Sequence, residues 1–285
     1  MNITVGVLAL QGAFREHLHL LQRASEYILK NRLNARLDTT FVFHEIRTAE
    51  KLSLCDALII PGGESTTISL VAARSNLLEP LRDFVKLQRK PTWGTCAGLI
   101  LLAESANRTK QGGQELIGGL DVRVNRNHFG RQVESFVAEL DLPFLHGTSS
   151  GTDAAGSAFQ GIFIRAPVVE RILPHVEGEQ KGEEQRQDTV IAPSRQAKGV
   201  EARRALSKDV EVLGLLPDRI KKAALKASSV DGEAESADII AVRQGNVFGT
   251  SFHPELTGDI RIHVWWLRQL MQHAEELENS SLTDG

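Results

Sequence analysis

Short apolar runs that end in glycine turns and give way to helical patterns constrain this chain more than any other feature. Ile3-Thr-Val-Gly-Val-Leu-Ala-Leu10 breaks into Gln11-Gly12, and Asp56-Ala-Leu-Ile-Ile60 breaks into Pro61-Gly62-Gly63. No run is long enough to span a membrane, so these read as buried strands. Helices are expected at residues 15 to about 34, 66–73, 78–87, from 99 to 104, and finally from 260 to about 277. Further strands are expected at 40–44, 133–140, 161–164, 210–216, 239–242 and 247–252. Buried strands alternating with helices predict an α/β domain on a largely parallel sheet. Functional groups in such sheets gather beyond the carboxyl ends of the strands, where Gly62, Gly63, Cys96 and His253 would all lie.

A chain of 285 residues with 41% hydrophobic residues has material for a substantial core, and a formal charge of -3 carries no electrostatic footprint for nucleic acid. Two cysteines, Cys55 and Cys96, are too few for a disulfide framework, and no Cys/His cluster has zinc spacing, which fits a reducing cytosol. The N-terminal apolar run lacks a basic leader and reads as a strand, not a signal peptide. Residues 177–208 and 219–237 are charged, Gly-punctuated and poor in large apolar side chains, so both are expected as mobile insertions around the strand at 210–216. The Gly/Ser/Thr/Ala tract at 147–157 is expected as a further loop. The organisation anticipated is one domain over residues 1–278 followed by a flexible tail at 279–285.

Chemistry concentrates in two segments. In Pro91-Thr-Trp-Gly-Thr-Cys96-Ala-Gly98, a turn between Gly94 and Gly98 opens an apolar helix, which puts Cys96 at the positive end of a helix dipole and favours a thiolate. In Thr250-Ser-Phe-His253-Pro-Glu255, a spacing of two on an extended strand would point His253 and Glu255 the same way, as a base and its orienting partner. Thiol, imidazole and carboxylate are the groups that hydrolysis through a thioester requires. Pro61-Gly-Gly-Glu-Ser-Thr66 can aim backbone N–H groups outward, as an oxyanion hole needs, or can serve as a strand-to-helix turn capped by Ser65 or Thr66. No Gly-Lys-Ser/Thr follows, which excludes a P-loop. Arg126 and Arg165 stand beside turns or strand ends, where a guanidinium could hold a substrate carboxylate. His17, His19, His128, His175 and His263 have no pairing in sequence that marks them out, and Trp265-Trp266 is expected to anchor the last helix to the core.

Taken together, Gly6-Val-Leu-Ala-Leu-Gln-Gly-Ala-Phe-Arg-Glu-His17, Pro61-Gly-Gly-Glu-Ser-Thr-Thr67, Gly94-Thr-Cys-Ala-Gly98, Arg126-Asn-His-Phe-Gly-Arg-Gln132, Phe163-Ile-Arg-Ala-Pro167 and Ser251-Phe-His-Pro-Glu-Leu256 resemble the glutaminase subunits of pyridoxal 5'-phosphate synthases. The Gly-x-Cys-x-Gly and His-Pro-Glu elements specify class I glutamine amidotransferases, and the remaining motifs narrow the likeness to this member. The resemblance implies a three-layer, flavodoxin-like α/β fold with charged loop insertions. It implies Cys96 as nucleophile, His253 as general base and Glu255 as orienting acid, with oxyanion donors at Gly63 and Ala97. Glutamine would be held by Gly63, Glu64, Ser65, Arg126, Ile164 and Arg165. The implied partner is the synthase subunit that receives the ammonia, and the hydrolytic subunit would need no metal or organic cofactor. A glutaminase serving another pathway, such as imidazole glycerol phosphate synthesis, and a non-catalytic binding subunit are the competing readings.

Overall fold

The computed structural model describes residues 1–31, 39–107, 114–126, 135–146, 158–176, 178–184, 186, 188–216 and 238–283. The expected loop at 147–157, the charged segment at 219–237, and residues 127–132 of the Arg126 motif, His128 among them, lie outside the described residues.

The chain opens with β1 (Asn2–Leu8), α1 (Phe14–Lys30), β2 (Thr40–Ile46), α2 (Ala49–Ser53), β3 (Ala57–Ile60), α3 (Ser65–Arg74) and α4 (Leu78–Arg82). A π-helical turn, Asp83–Leu87, extends α4, and β4 (Thr92–Thr95), α5 (Ala97–Leu102) and β5 (Ala103–Asn107) follow. The second half runs through β6 (Leu120–Asn125), β7 (Ser135–Leu140), β8 (Phe159–Ile164), β9 (Val168–Ile172), α6 (Lys181–Glu184) and β10 (Thr189–Ile191). It ends with α7 (Val200–Arg204), β11 (Glu211–Leu215), β12 (Ile239–Gln244), β13 (Val247–Thr250) and α8 (Arg261–Thr283).

Among the described residues, an eleven-stranded sheet has the order β10-β5-β6-β9-β12-β13-β4-β3-β1-β2, with β11 paired to β12 beside that path. The block β2-β1-β3-β4-β13 is parallel throughout. Antiparallel pairing begins where β13 meets β12. Strands β7 and β8 form a separate antiparallel pair.

All four positions of β3 are buried, because side chains that alternate along it enter two different cores. Leu58 and Ile60 join a cluster with Ile68, Leu78, Leu81 and Leu99 from α3, α4 and α5. Ala57 and Ile59 join the opposite cluster with Leu21 and Ile28 of α1 and Trp266 and Leu267 of α8. Helices therefore cover both faces, which explains why the central strands read as unbroken apolar runs. On α1 the buried positions Leu20, Leu21, Ala24 and Ile28 form one helical stripe. Trp265 and Trp266 are buried at α8, as the sequence suggests, and Trp266 packs 5.8 Å from Trp93. No helix among the described residues is long and apolar enough to cross a membrane.

Two local expectations change. The helix expected through residue 104 stops at Leu102, and the chain passes directly into β5. The segment 177–208 is not the solvated loop its composition suggests over its described residues. There β10 extends the main sheet by pairing with β5, and Glu183 is buried, where it accepts from Arg123 Nη1 at 2.8 Å and from Ser105 Oγ at 3.1 Å. Counting apolar side chains misses such a segment, because its buried carboxylate is compensated by a guanidinium on a neighbouring strand.

The closest packing in the parallel block lies where α5 crosses β3 and β4. A Cβ on Gly98 would stand 2.1 Å from the Ile60 carbonyl oxygen, and one on Gly94 would stand 2.5 Å from the Gly98 carbonyl carbon. Gly98→Ala is therefore expected to lower stability by about 3 kcal/mol through overpacking. Urea denaturation reads this directly, and an unchanged midpoint would mean that α5 moves away without penalty.

Candidate active site

Cys96 sits between the end of β4 and the first residue of α5 with φ 47° and ψ −98°, a conformation that non-glycine residues rarely adopt. Its N–H donates to the Thr250 carbonyl at 2.8 Å, which ties the bend to the end of β13. The side chain is only 5% exposed, and Sγ lies 3.9 Å from the Ile164 carbonyl oxygen. A strand, a strained nucleophile-bearing turn and a helix in this order present a side chain at the sheet's carboxyl edge.

His253 follows β13 and is fixed from three directions. Its N–H donates to the Ile162 carbonyl at 2.8 Å. Its ring lies against Gly62, where a Cβ would fall 2.2 Å from Cε1. Its Nδ1 is 2.7 Å from Glu255 Oε1. The expected pairing of His253 with Glu255 is present, but an extended strand does not produce it. Pro254–Leu256 forms a 3-10 turn, and that turn brings the carboxylate back beneath the imidazole.

Burial pushes the His253 pKa down, but hydrogen bonding to Cys96 and Glu255, reinforced by the charges of both, outweighs it and raises the value to about 10. The raised value favours an imidazolium at His253. Cys55 is the opposite case: it is fully buried, and desolvation raises its thiol to about 11.

Two loops interlock beside this pair. Ala13 N–H donates to the Gly62 carbonyl at 3.0 Å, and Glu64 N–H donates to Gln11 Oε1 at 2.8 Å. Gly12 has φ 94°, and a Cβ on it would overlap the Gly62 oxygen at 1.9 Å. Because the Gly62 carbonyl is turned toward Ala13, the Gly63 N–H of the same trans peptide points the opposite way. The Ala97 N–H opens α5 and has no acceptor within its helix.

The residues expected to bind substrate fall into two groups. The Glu64 carboxylate caps α3, accepting from Thr66 N–H at 3.1 Å and from Thr67 N–H and Oγ1 at 2.6 Å each, so Glu64 is the cap rather than Ser65 or Thr66. Burial acts to raise the Glu64 pKa, but these hydrogen bonds outweigh it and hold the carboxyl below its ordinary range. Arg126 Nη2 donates to Ser65 Oγ and Thr66 Oγ1 at 3.0 Å each and lies 3.9 Å from Glu64 Oε1. Ile164 and Arg165 form the second group, beside Cys96, where Arg165 is exposed and has φ 45°.

His17 and His263 escape sequence reasoning. Both are fully buried on the far side of Glu255, and the 246 positions between them hide their contact from any local pattern.

A thiol on a strand-to-helix elbow, facing a histidine and glutamate at the carboxyl edge of a parallel sheet, defines the class of covalent hydrolytic α/β enzymes. Within that class, residues 7–213 and 217–272 match the SNO glutamine amidotransferase family, and the chain belongs to it. It is 38% identical over 284 residues to the probable pyridoxal 5'-phosphate synthase subunit PDX2 of Arabidopsis thaliana, covering 98% of this chain and 90% of that one. It is also 38% identical over 259 residues to the pyridoxal 5'-phosphate synthase subunit PdxT of Streptomyces avermitilis, covering 91% of this chain and 90% of that protein. A crystal structure of a glutamine amidotransferase aligns with a TM-score of 0.58 at 33% identity, covering 93% of this chain and 98% of the other.

The raised His253 pKa links pH to stability with a definite sign. A group whose folded pKa exceeds its unfolded one stabilises fully below the unfolded value, 6.5, and loses that contribution as pH rises through about 10. Unfolding free energy should therefore fall between pH 7 and 10 more steeply in the parent than in His253→Gln. Parallel pH profiles for the two would contradict the ion pair.

Proposed function

We propose that this chain is the glutaminase subunit of a pyridoxal 5'-phosphate synthase, hydrolysing L-glutamine to L-glutamate and passing the ammonia to a synthase subunit. The observation that carries this reading is the hydrogen-bonded series from Cys96 to His253 to Glu255 on the strained elbow of a chain in the SNO family. The subunit names of the two relatives support the pathway and the partner.

Glutamine enters with its carboxamide beside Cys96. His253 holds the proton of the Cys96 thiol, and the sulfur attacks the carboxamide carbon to form a tetrahedral oxyanion. The Gly63 and Ala97 N–H groups stabilise that charge, each contributing about 3 kcal/mol. The C–N bond then breaks, and His253 delivers its proton to the departing nitrogen, which leaves as ammonia. A water molecule, deprotonated by His253, attacks the thioester, and breaking of the C–S bond releases glutamate and restores the thiol. Glu255 holds the His253 ring in orientation and balances the imidazolium. Gly63, Glu64, Ser65, Arg126, Ile164 and Arg165 hold the substrate, with Arg126 and Arg165 assigned to its carboxylate end. Ammonia released to water is protonated and loses its nucleophilicity, which favours direct delivery to the synthase, and a cytoplasmic location is part of the proposal. The hydrolysis itself calls on no cofactor.

Glutamate release measured with and without a pyridoxal phosphate synthase subunit tests the assignment. The parent chain should be active with that partner, and Cys96→Ser should fall to background while still binding it. A parent chain that releases no glutamate in the complex would refute the proposal. Arg126→Gln should raise KM for glutamine, with kcat/KM lowered by about 2 to 3 kcal/mol in free-energy terms. An unchanged KM would remove Arg126 from the pocket.

A further inference from the structure

Behind the Cys96–His253–Glu255 series lies a second, wholly buried set of polar groups that the reaction scheme does not use. Glu255 Oε1 faces His253, whereas Oε2 is buried and has no hydrogen bond of ordinary geometry among the described residues. The nearest group that could serve it is His17 Nε2, 3.4 Å away, and both side chains are fully inaccessible to solvent. His17 Nε2 is also 3.2 Å from Thr95 Oγ1, on the residue that precedes the nucleophile. On its other side, His17 Nδ1 is 3.0 Å from His263 Nε2. The His263 Nδ1 is buried without a partner among the described residues.

These contacts select one arrangement of protons. Two ring nitrogens in contact share a single hydrogen, so either His17 or His263 donates. If His17 donated from Nδ1, its Nε2 would present a lone pair to the Glu255 carboxylate, and His263 would carry a buried N–H at Nδ1 with no acceptor. If His263 donates from Nε2, His17 Nδ1 accepts, and the His17 proton lies on Nε2, the atom 3.2 Å from Thr95 Oγ1 and 3.4 Å from Glu255 Oε2. Only a weakly basic lone pair on His263 is then left unpaired, which is the smaller penalty. Burial keeps both rings neutral. It holds His17 well below its ordinary pKa, with His263 and His253 adding to the effect, and it lowers His263 to about 3. The groups that face His17 are Glu255 and His253 from the site, Thr95 and the Trp93 ring from β4, and His263 from α8.

We propose that His17 is a positioning residue for the reaction: its neutral imidazole donates Nε2–H to Glu255 Oε2 and clamps the carboxylate that orients His253. Glu255 is then held between two histidines of different charge, an imidazolium at Oε1 and a neutral donor at Oε2. The inference rests on the glutaminase reading for its kinetic consequence and on the buried contacts alone for its hydrogen bond.

Nitrogen-15 NMR of the histidine rings in the full chain, without substrate, should find His17 and His263 both as neutral Nε2–H tautomers from about pH 6 to 8. A His17 protonated at Nδ1, alone or as an imidazolium, would overturn the proposal. In the complex with the synthase subunit, His17→Leu should lower kcat for glutamate release roughly 10- to 100-fold with KM for glutamine unchanged. His17→Gln, whose side-chain amide can donate from a similar position, should recover most of that loss. Equal losses in folded Leu and Gln variants would refute the clamp. If the Leu variant does not fold, the Gln variant decides: near-parental kcat supports the clamp, and a 100-fold loss rejects it. A parent chain inactive with its partner would overturn the functional reading instead, and the tautomer measurement would still decide the hydrogen bond.

Discussion

The close approach of α5 to β3 is the constraint on which the rest of the site depends. Gly98 lies so near the Ile60 carbonyl, and Gly94 so near Gly98, that neither position admits a Cβ. With the helix pressed onto the strands, the chain must turn from β4 into α5 at a single residue, and Cys96 takes the positive φ that this turn demands. The bend places the sulfur at the sheet's carboxyl edge, and dense packing of two apolar cores on the flanking strands sustains it. Gly62 plays the corresponding part for His253, whose ring occupies the space a side chain would fill. Three glycines thus set the distances among groups that come from β3, β4 and β13.

Electrostatics follow from that geometry. Burial alone would neutralise His253, yet the neighbouring Cys96 and Glu255 reverse the sign and raise its pKa to about 10. His263, fully buried and with no anionic side chain in contact among the described residues, goes the other way to about 3. One enclosed region therefore holds a charged imidazole and a neutral one within a few side chains of each other. The difference lies in what each ring touches, not in how deeply it is buried.

The parallel block was legible where its strands are apolar on both faces, whereas β4, Thr-Trp-Gly-Thr, was not expected as a strand. β1 and β3 are continuous hydrophobic runs that end in glycine turns. The rest of the sheet was legible only in part, since β11 and β12 were expected while β9 and β10 were not. β5 and β6 escaped because Glu104 and Arg123 interrupt the apolar pattern, although Lys86 at 2.8 Å and Glu183 at 2.8 Å neutralise them inside the fold. A hydropathy pattern registers each charge and cannot see its partner. The contact between His253 and Glu255 was expected for a reason that does not hold locally, since a 3-10 turn rather than strand alternation joins them. Gln11-Gly-Ala-Phe-Arg-Glu-His17 stood out as a motif, but the contact of its histidine with Glu255 and His263 exists only after α1 and α8 have packed on the same face.

The two halves of the sheet also divide the labour of the site. Cys96, His253 and the Gly62-Gly63 turn hang from β4, β13 and β3, strands paired in parallel register through the centre of the molecule. Arg126 comes from the end of β6, across the antiparallel extension, and reaches α3 by hydrogen bonds to Ser65 and Thr66. Chemistry tolerates little displacement of the thiol, imidazole and carboxylate, so these groups belong on the most densely packed strands. The Arg126 guanidinium, on a long side chain, tolerates more. Placement of Cys96 and His253 is therefore the tighter constraint on the sequence: a Cβ at Gly62, Gly94 or Gly98 would fall within 2.5 Å of a neighbouring atom, whereas Arg126 can be re-aimed by rotamer changes that leave the sheet untouched.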